Sequence, residues 1–219
     1  MMSWLLLLLV LPRTSIGLQP GGRSRVSAVR SSSKDEEYRS PVVELLGRNL
    51  KKRELDVDWT VPKATNLPPL EMAKRLEAGL REREWFVTGL ILPELFSDSF
   101  KFEDTDVKIE GVKQYASGVS RLFDASARAQ VISCELNNRI VKVTWRLSGG
   151  VNIGPLGLTL KPYVVYTDLH LDDTNGLVNF QQDRFSIPSW DILLSALLGP
   201  NIANNLPFLA PPAPDVDSS

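Results

Sequence analysis

The stretch from Pro93 to Asp104 constrains the fold most strongly, because it ends a helical segment and begins a strand. Proline ends or bends a helix, and Phe100 and Phe102 then occupy alternate positions of an extended segment. Side chains two residues apart share a face, so Asp104, and Asp98 before it, are expected on the side of these phenylalanines. A carboxylate on the core side is either a paired core group or the wall of a pocket.

Helical periodicity flanks this stretch on both sides. The spacing predicts a long helix from about residue 70 up to Pro93, with apolar residues that recur every fourth position. These residues are Met72, Leu76 and Leu80. A second helix is predicted to begin at Gly111 and to carry Tyr115 on its apolar side.

From Arg128 onward the apolar period changes from that of a helix to two, which is typical of strands. The predicted strands cover about 128–136, 141–147, 163–171 and 177–186. The dipeptides Asn137-Asn138 and Asn175-Gly176 between them are signals for tight turns. Helices followed by a run of antiparallel strands predict the α+β class.

Composition excludes several kinds of site. Of 25 basic and 26 acidic residues in the 219-residue chain, residues 1–34 hold five basic and no acidic ones, so residues 35–219 carry 20 − 26 = −6. No basic patch for nucleic acid follows from that balance. Cys134 is the single cysteine and His170 the single histidine, which excludes an intramolecular disulfide and a His- or Cys-rich metal site. The chain also lacks phosphate-loop, dinucleotide and Gly-x-Ser-x-Gly motifs, and no cofactor is predicted.

The N-terminus reads as a targeting leader. The apolar run from Trp4 to Leu11 is far shorter than the ~20 residues of a membrane span, so it predicts a signal peptide that ends near Gly17. Residues 18–34 are rich in Ser and Arg and free of acid, as in a transit peptide. Together they resemble the two-part plastid presequence of algae with secondary plastids. The alternative is a secreted protein with a basic N-terminus.

The rest of the chain divides into three further segments. They are a linker or docked arm over 35–69, one domain over 70–199 and a Pro-rich flexible tail over 200–219. No transmembrane segment is predicted after the leader.

A series of short motifs resembles one known fold family. The motifs are Trp85-Phe86-Val87-Thr88-Gly89, Leu95-Phe96-Ser97-Asp98, Phe102-Glu103-Asp104, Gly111 with Tyr115, Val143-Thr144-Trp145-Arg146 with Gly149, and Gly176-Leu177-Val178 with Asp183. In this order they resemble the nuclear-transport-factor-2-like (SnoaL-like) superfamily, and within it a plastid-targeted plant and algal domain of unknown function. The resemblance implies a cone-shaped, curved antiparallel sheet packed on N-terminal helices, and a homodimer through the sheet face.

The same resemblance implies a catalytic aspartate at Asp183. SnoaL-like enzymes commonly have a histidine just before that aspartate, whereas this chain has Gln181 and Gln182. Asp183 also has Arg184 beside it, so an ion pair is an equally natural role. The absence of the histidine argues against carrying over the family's acid–base chemistry.

Three aspartates are the candidate general bases, namely Asp98, Asp104 and Asp183, with Tyr115 as the proton donor. Burial beside aromatic rings raises the pKa of a carboxyl toward a useful value. The structural alternative is that one aspartate caps the turn after the strand and another pairs with a sheet residue such as Arg146.

Aromatic and polar residues around these aspartates are the candidate lining of a ligand pocket. The set is Phe102, Asp104, Tyr115, Trp145 and Tyr163. Buried aromatic residues also fill cores, and that is the favoured interpretation for Trp145. His170 shares strand parity with Asp168 and Tyr166, which indicates the outer face of the sheet.

The segment from Ile187 to Leu198 is apolar on nearly all sides. Its candidate contact residues for a partner are Trp190, Leu193 and Leu197. The segment can cap the cone, bind a partner or lie on a membrane, but it lacks the Lys/Arg face of an interfacial helix.

The function predicted from the sequence is a plastid protein with one cone domain that binds a hydrophobic small ligand or a protein partner without catalysis. One alternative is a small isomerase, cyclase or dehydratase that uses a pocket aspartate as its base. Another is an accessory protein of a plastid membrane complex.

Overall fold

The computed structural model describes residues 55–105, 107–153 and 157–216. The helices are α1 (Pro69–Arg83), α2 (Trp85–Thr88), α3 (Val112–Leu122), α4 (Ser189–Leu198) and α5 (Pro200–Ala203). The strands are β1 (Phe96–Glu103), β2 (Lys108–Glu110), β3 (Arg128–Asn137), β4 (Ile140–Val151), β5 (Leu158–Leu171) and β6 (Val178–Phe185). A short 3-10 helix, Pro93–Leu95, precedes β1. The predicted α+β class is confirmed.

The six strands form one sheet in the order β2-β1-β6-β5-β4-β3. Every neighbouring pair is antiparallel except β1 and β6, which run parallel. The expected all-antiparallel sheet is therefore mixed, because the last strand of the β3–β6 meander returns beside β1. Register shifts in these pairings mark irregularities that bend and twist the strands. They curve the sheet around the helices.

The helices pack on the sheet through their apolar sides. Helix α1 contacts β3, and α3 contacts β1 and α2. The predicted spacing holds, since Met72, Leu76 and Leu80 are all buried. The aromatic core continues from Trp85 through Phe96, which lie edge to face with ring centroids 6.0 Å apart.

The long helix predicted up to Pro93 stops at Arg83 instead. Glu84 takes a left-handed conformation (φ 46°), and its carboxylate Oε2 accepts a hydrogen bond from the Ala129 N–H at 2.8 Å, which ties the helix end to β3. Gly89 ends the next short helix with φ 74°, and a β-carbon there would lie 2.4 Å from the Ala116 carbonyl oxygen. Only glycine fits that approach.

Both ends of the described chain lie against the domain. Leu55, Val57 and Trp59 are partly buried and pack on the core, as a docked arm would. The segment 200–219 was predicted to be a flexible tail, but residues 200–216 lie against the domain. Ala213 N–H donates to the Pro162 carbonyl at 2.8 Å, and Leu209 is buried.

Among residues 55–105, 107–153 and 157–216, no helix is both long enough and apolar enough to cross a bilayer.

Candidate functional site

A chain of hydrogen bonds runs across the inner face of the sheet and ends on one carboxylate. Trp145 Nε1 donates to Thr167 Oγ1 (2.9 Å), and Thr167 Oγ1 donates to Asp183 Oδ1 (2.7 Å). Gln181 Nε2 donates both to Asp183 Oδ1 (3.1 Å) and to the Tyr115 hydroxyl (3.0 Å). Strands β4, β5 and β6 and helix α3 each contribute to this network, whose centre is Asp183.

Sheet register explains why these side chains meet. Thr167 lies directly opposite Asp183 in the β5–β6 pair, and Trp145 lies opposite Val165, two residues from Thr167 on the same face. Gln181 precedes Asp183 by two residues and therefore shares its face. The network is thus fixed by the antiparallel pairing of three strands.

The carboxyl of Asp183 has a pKa far above that of an ordinary aspartate. Burial raises its pKa from 3.8 to about 7. Hydrogen bonds from Thr167 and Gln181 oppose that rise, while the negative charge of Asp104 adds to it. Thr167 and Gln181 are fully buried, whereas Asp183 keeps partial exposure. Asp183 as a residue thus lies at the edge of the core.

Two buried phenols beside this carboxyl keep their protons. Burial raises the pKa of Tyr115 well above its usual value, and the charge of Asp183 raises it further. Burial also raises the pKa of Tyr163, followed by the charges of Asp104 and Asp183. Both hydroxyls are therefore hydrogen-bond donors throughout the physiological pH range.

Asp104 has a structural role as well as an electrostatic one. Its carboxylate Oδ1 accepts the Val107 N–H at 2.6 Å, and its own N–H donates to the Val107 carbonyl at 3.0 Å, so it closes the turn between β1 and β2. This is the turn-capping role considered in the sequence analysis. Its charge nevertheless acts on Tyr115, Tyr163 and Asp183.

Aromatic rings surround the network. Phe102 and Tyr115 have centroids 4.9 Å apart, and Tyr163 lies 6.0 Å from Phe185. Trp145 stacks at 4.9 Å on Phe86 and is buried, as the core interpretation favoured. The structure therefore places these five residues around one network, whereas their role as the lining of a ligand pocket stays a prediction: Phe102, Asp104, Tyr115, Trp145 and Tyr163.

The sequence analysis missed Thr167 and Gln181. Each is a polar residue at an inward position of a strand, with Thr167 between Val165 and Leu169 in the same parity. A fully buried polar side chain needs a partner. The alternation of β5 places Thr167 at an inward position and could have identified it from the sequence. The inward position of Gln181 follows only from the pairing of β6 with β5.

One atom of this network lacks a partner. Gln181 Oε1 is buried and accepts no hydrogen bond from the described residues. Leaving a buried acceptor unsatisfied costs about 1–3 kcal/mol. The Gln181 Nε2 is held by Tyr115 and Asp183, so the amide cannot turn its oxygen toward either of them without losing these bonds.

Asp98 is not part of this site, so the expectation that it faces the core with Phe100 is wrong. Its side chain is 91% exposed and pairs with Lys63 Nζ at 3.0 Å. The reason is an irregularity in β1: the register against β6 shifts between Phe96 and Lys101, which breaks the alternation of faces at Asp98. The other suggested pairing is also wrong, because Arg146 pairs with Asp215 at 2.7 Å.

The outer sheet face holds a shallow, charged cleft of about 160 Å³. Asp168 lines this cleft and forms its ion pair with Arg184 Nη2 at 2.9 Å rather than with His170. His170 instead packs at 5.2 Å on Phe180. The homodimer through this face stays a prediction.

Helix α4 is unusual because two of its polar residues are buried while two of its large apolar residues are exposed. Asp191 and Ser195 are buried, and Asp191 Oδ1 pairs with Lys161 Nζ at 2.5 Å. Trp190 is 50% exposed and Leu197 55% exposed. Helix α4 therefore contacts the domain through a buried ion pair as well as through the apolar side chains of Ile192 and Ala196.

The described residues contain no group of three or more His, Cys, Asp and Glu side chains arranged to hold a metal ion. A metal centre therefore has no support in this part of the chain.

Solved structures with similar folds cover more than half of this chain. A structure assigned as a SnoaL-like polyketide cyclase from Jannaschia sp. CCS1 is 17% identical with a TM-score of 0.45, and the match covers 57% of this chain and 91% of that one. One assigned as a ketosteroid isomerase from Kribbella flavida DSM 17836 is 16% identical with a TM-score of 0.40, over 55% and 78% of the two chains. An LEH-like epoxide hydrolase from M. tuberculosis is 15% identical with a TM-score of 0.41, over 61% and 92%.

No family model and no curated protein matches the sequence. The structural likeness therefore concerns the fold and transfers no activity or ligand to this chain. The observed order of helices and strands is the one that the sequence motifs imply. The described part of the chain therefore has an α+β architecture, with helices packed on one curved six-stranded sheet.

Proposed function

We propose that this chain binds a small, largely apolar molecule at the inner face of the sheet, with a polar group of that molecule against Asp183. One observation carries the proposal: a buried hydrogen-bond network converges on the carboxyl of Asp183, a residue that is itself only partly buried. The surrounding rings of Phe102, Tyr115 and Tyr163 suit an apolar body. A few placed polar groups in an aromatic lining are typical of ligand sites.

Proton transfer is a second candidate function at the same site. A general base works best when its pKa is near the working pH, and the pKa of Asp183 is raised to about 7. Tyr115 keeps its proton and can donate to a developing oxyanion. The missing histidine does not prevent this chemistry, because a carboxyl alone can abstract and return a proton in an isomerase, cyclase or dehydratase.

Native mass spectrometry tests ligand binding. The full-length chain is incubated with an organic extract of algal plastids, and its native mass is compared with its denatured mass. We expect a retained small molecule in the wild type and in Asp98→Asn, whose carboxyl is exposed and outside the site, and a loss of at least about ten-fold in retention in Asp183→Asn. A native mass equal to that of the polypeptide alone contradicts ligand binding.

The same ligand, returned to the protein in heavy water, reports on chemistry. Deuterium uptake that depends on Asp183 supports proton transfer, and a ligand recovered without deuterium restricts the function to binding.

The outward face of α4 supports a partner contact, which is a separate proposal. Asp191 is the one charged residue between Ile187 and Pro214, and it is buried, so the exposed surface of Trp190 and Leu197 is uncharged. Such a surface suits the apolar face of a protein partner.

The chain is incubated with plastid extract, and its native mass then reports any bound partner. We expect Leu193→Asp with Leu197→Asp to lower that native mass to the mass of the monomer, because the added charges cannot be buried in the contact. The matched control is Asn201→Asp with Asn204→Asp, which adds the same charge at exposed polar positions nearby. The contact is contradicted if both double variants retain the same mass of bound partner.

The plastid location and the membrane-complex role stay predictions. The leader from which the location was inferred lies within residues 1–54, outside the described residues.

A further inference from the structure

An open cleft runs along the solvent side of helix α3, away from the network around Asp183. Its volume is about 310 Å³, and it is lined by one face of the helix: Lys113, Gln114, Ser117, Gly118 and Arg121. Tyr115 and Ala116 are buried on the other side of the same helix. None of the lining residues takes part in the Asp183 network, so the cleft is a separate site.

The cleft is positively charged, since helix α3 contains one lysine and one arginine and no acidic residue. The acidic residues that flank the helix have other partners. Glu110 pairs with Lys101 at 3.3 Å, and Asp124 accepts the Ser126 hydroxyl at 2.6 Å. Within the described part of the chain, neither cation of the cleft forms an ion pair with a carboxylate.

Arg121 has a donor that the fold leaves unused. Its Nε is buried and has no hydrogen-bond partner among the described residues, although Arg121 as a residue is only half-buried and lines the cleft. The planar guanidinium presents its N–H groups as a fork that matches two oxygens of an anion. An unsatisfied donor is costly, so an anion held by this guanidinium would offset a cost that the protein alone does not.

The other polar side chains of the cleft lie within one helical turn of each other. Ser117 is four residues from both Lys113 and Arg121, and residues four apart are neighbours on a helix surface. Its hydroxyl and the amide of Gln114 add two donors between the two cations. Lys113 Nζ lies 5.4 Å from the ring centroid of Trp59, which places that cation at one end of the cleft.

Gly118 has no packing reason to be glycine. It lies in the interior of α3 and is exposed, where alanine is the better helix former. Among the described residues outside the helix backbone, a β-carbon there would meet Ile109 Cδ1 at 4.0 Å, an ordinary van der Waals distance. The missing side chain keeps the floor of the cleft open, so a ligand can approach the helix backbone between Ser117 and Arg121.

We propose that this cleft binds a phosphate monoester. Such a group carries a charge of about −2 above its second pKa of about 6, which matches the two cations. Its oxygens match the four donor side chains of the cleft, whereas a carboxylate, with one charge and two oxygens, uses only part of this set. The ester can be free in solution or be the headgroup of a lipid, because both present the same group.

The test measures the binding of phenyl phosphate to the full-length chain by titration calorimetry at pH 8, with benzyl alcohol as the uncharged control. We expect phenyl phosphate to bind at least about ten-fold more tightly than benzyl alcohol. Flotation with phosphatidylcholine vesicles, with and without phosphatidic acid, tests the lipid source. Binding of phenyl phosphate indicates a free ester, and capture by phosphatidic acid vesicles alone indicates a headgroup. If neither binds, the proposal is overturned.

A pair of variants separates the cleft from general positive charge. Arg121→Gln is expected to weaken the binding of whichever probe binds by at least about ten-fold. Arg75→Gln removes the same charge from an exposed position of α1, outside the cleft, and is expected to keep the wild-type affinity. Unchanged affinity in Arg121→Gln, or an equal loss in both variants, overturns the proposal.

Gly118→Ala provides a variant in which damage to the fold cannot explain lost binding. It is expected to raise the melting temperature by about 2–4 °C, because alanine is the better helix former. The same methyl group occupies the floor of the cleft, so the affinity for the probe is expected to fall. A more stable protein with undiminished affinity would contradict binding at this face of α3. These outcomes leave the proposed function at Asp183 untouched, since the two sites share no residue.

Discussion

Replacing Lys161 by methionine is expected to lower the free energy of unfolding by about 3–5 kcal/mol, because it leaves a buried carboxylate without its counter-charge. Lys161 and Asp191 have side chains only 1% and 2% exposed, and their charged atoms lie 2.5 Å apart. Lys161 Nζ also donates to the Ala210 carbonyl at 2.6 Å, and Asp191 Oδ2 accepts the Ala210 N–H at 2.7 Å. The pair joins β5, α4 and the C-terminal segment, and urea unfolding measures its loss.

A double variant provides the control for this effect. Lys161→Met with Asp191→Leu removes both charges, so it is expected to recover much of the lost stability, as buried pairs replaced by apolar residues commonly do. Burial raises the pKa of Asp191, but hydrogen bonds from Lys161, Ala210 and Ser195 outweigh it and hold the pKa below 3.8. If Lys161→Met lowers the free energy of unfolding by less than about 1 kcal/mol, which is the range of an exposed pair, the role given to the buried Lys161–Asp191 pair is contradicted.

Asp183→Asn is expected to stabilise the folded protein at pH 8 and to remove a dependence of stability on pH. The pKa of this carboxyl is 3.8 in the reference state and about 7 in the fold, so the folded state binds the proton more tightly. Stability therefore falls as pH rises from about 4 to about 7 and is level above that. The rise is equivalent to roughly 4 kcal/mol, which solvent at the partly exposed carboxyl reduces to roughly 2 kcal/mol.

The matched control for this variant is Asp98→Asn, since Asp98 is exposed and outside the site. Unfolding by urea at pH 4, 5.5, 7 and 8 measures the slope in all three proteins. Wild type and Asp98→Asn are expected to lose the same stability between pH 5.5 and pH 7, and Asp183→Asn to lack that loss. The same dependence of stability on pH in all three proteins would contradict a raised pKa at Asp183.

A stabilising substitution at this position is informative about function. A protein that keeps an ionisable group where asparagine is more stable retains it for a reason other than folding. The Asp183 carboxyl is held by Thr167 and Gln181, and the residue lies at the edge of the core. That combination suits binding or proton transfer better than it suits a core.

Local periodicity was enough to predict most elements of the fold. The four-residue spacing of Met72, Leu76 and Leu80 predicted α1, and the alternation after Arg128 predicted β3 to β6. Two of these strands are longer than predicted, because β4 continues to Val151 and β5 begins at Leu158. These features depend on which face of each element is buried, and the sequence pattern carries that information directly.

Features set by distant pairing were not predictable from the pattern. Asp98 was placed on the wrong face because the irregularity in β1 arises only where that strand pairs with β6. The helix end at Glu84 depends on a bond to Ala129, 45 residues away. Each of these positions breaks a local rule in favour of a contact made in the folded state.

The candidate site followed the same division. Phe102, Asp104 and Tyr115 were predicted from parity and aromatic context, and Asp183 from the family resemblance. Gln181 and Thr167 were missed, although they hold the carboxyl, because their role depends on strand register rather than on residue type. The inward polar side of α4 was missed for the same reason, since Asp191 needs Lys161 from β5.

The measurement that tests the central claim most directly is an NMR titration of the Asp183 side-chain carboxyl, assigned by its absence in Asp183→Asn. The account predicts a midpoint at about pH 7, because burial and the charge of Asp104 outweigh the hydrogen bonds from Thr167 and Gln181. A midpoint at or below about 4, the ordinary value for an aspartate, would contradict a carboxyl poised for ligand binding or proton transfer.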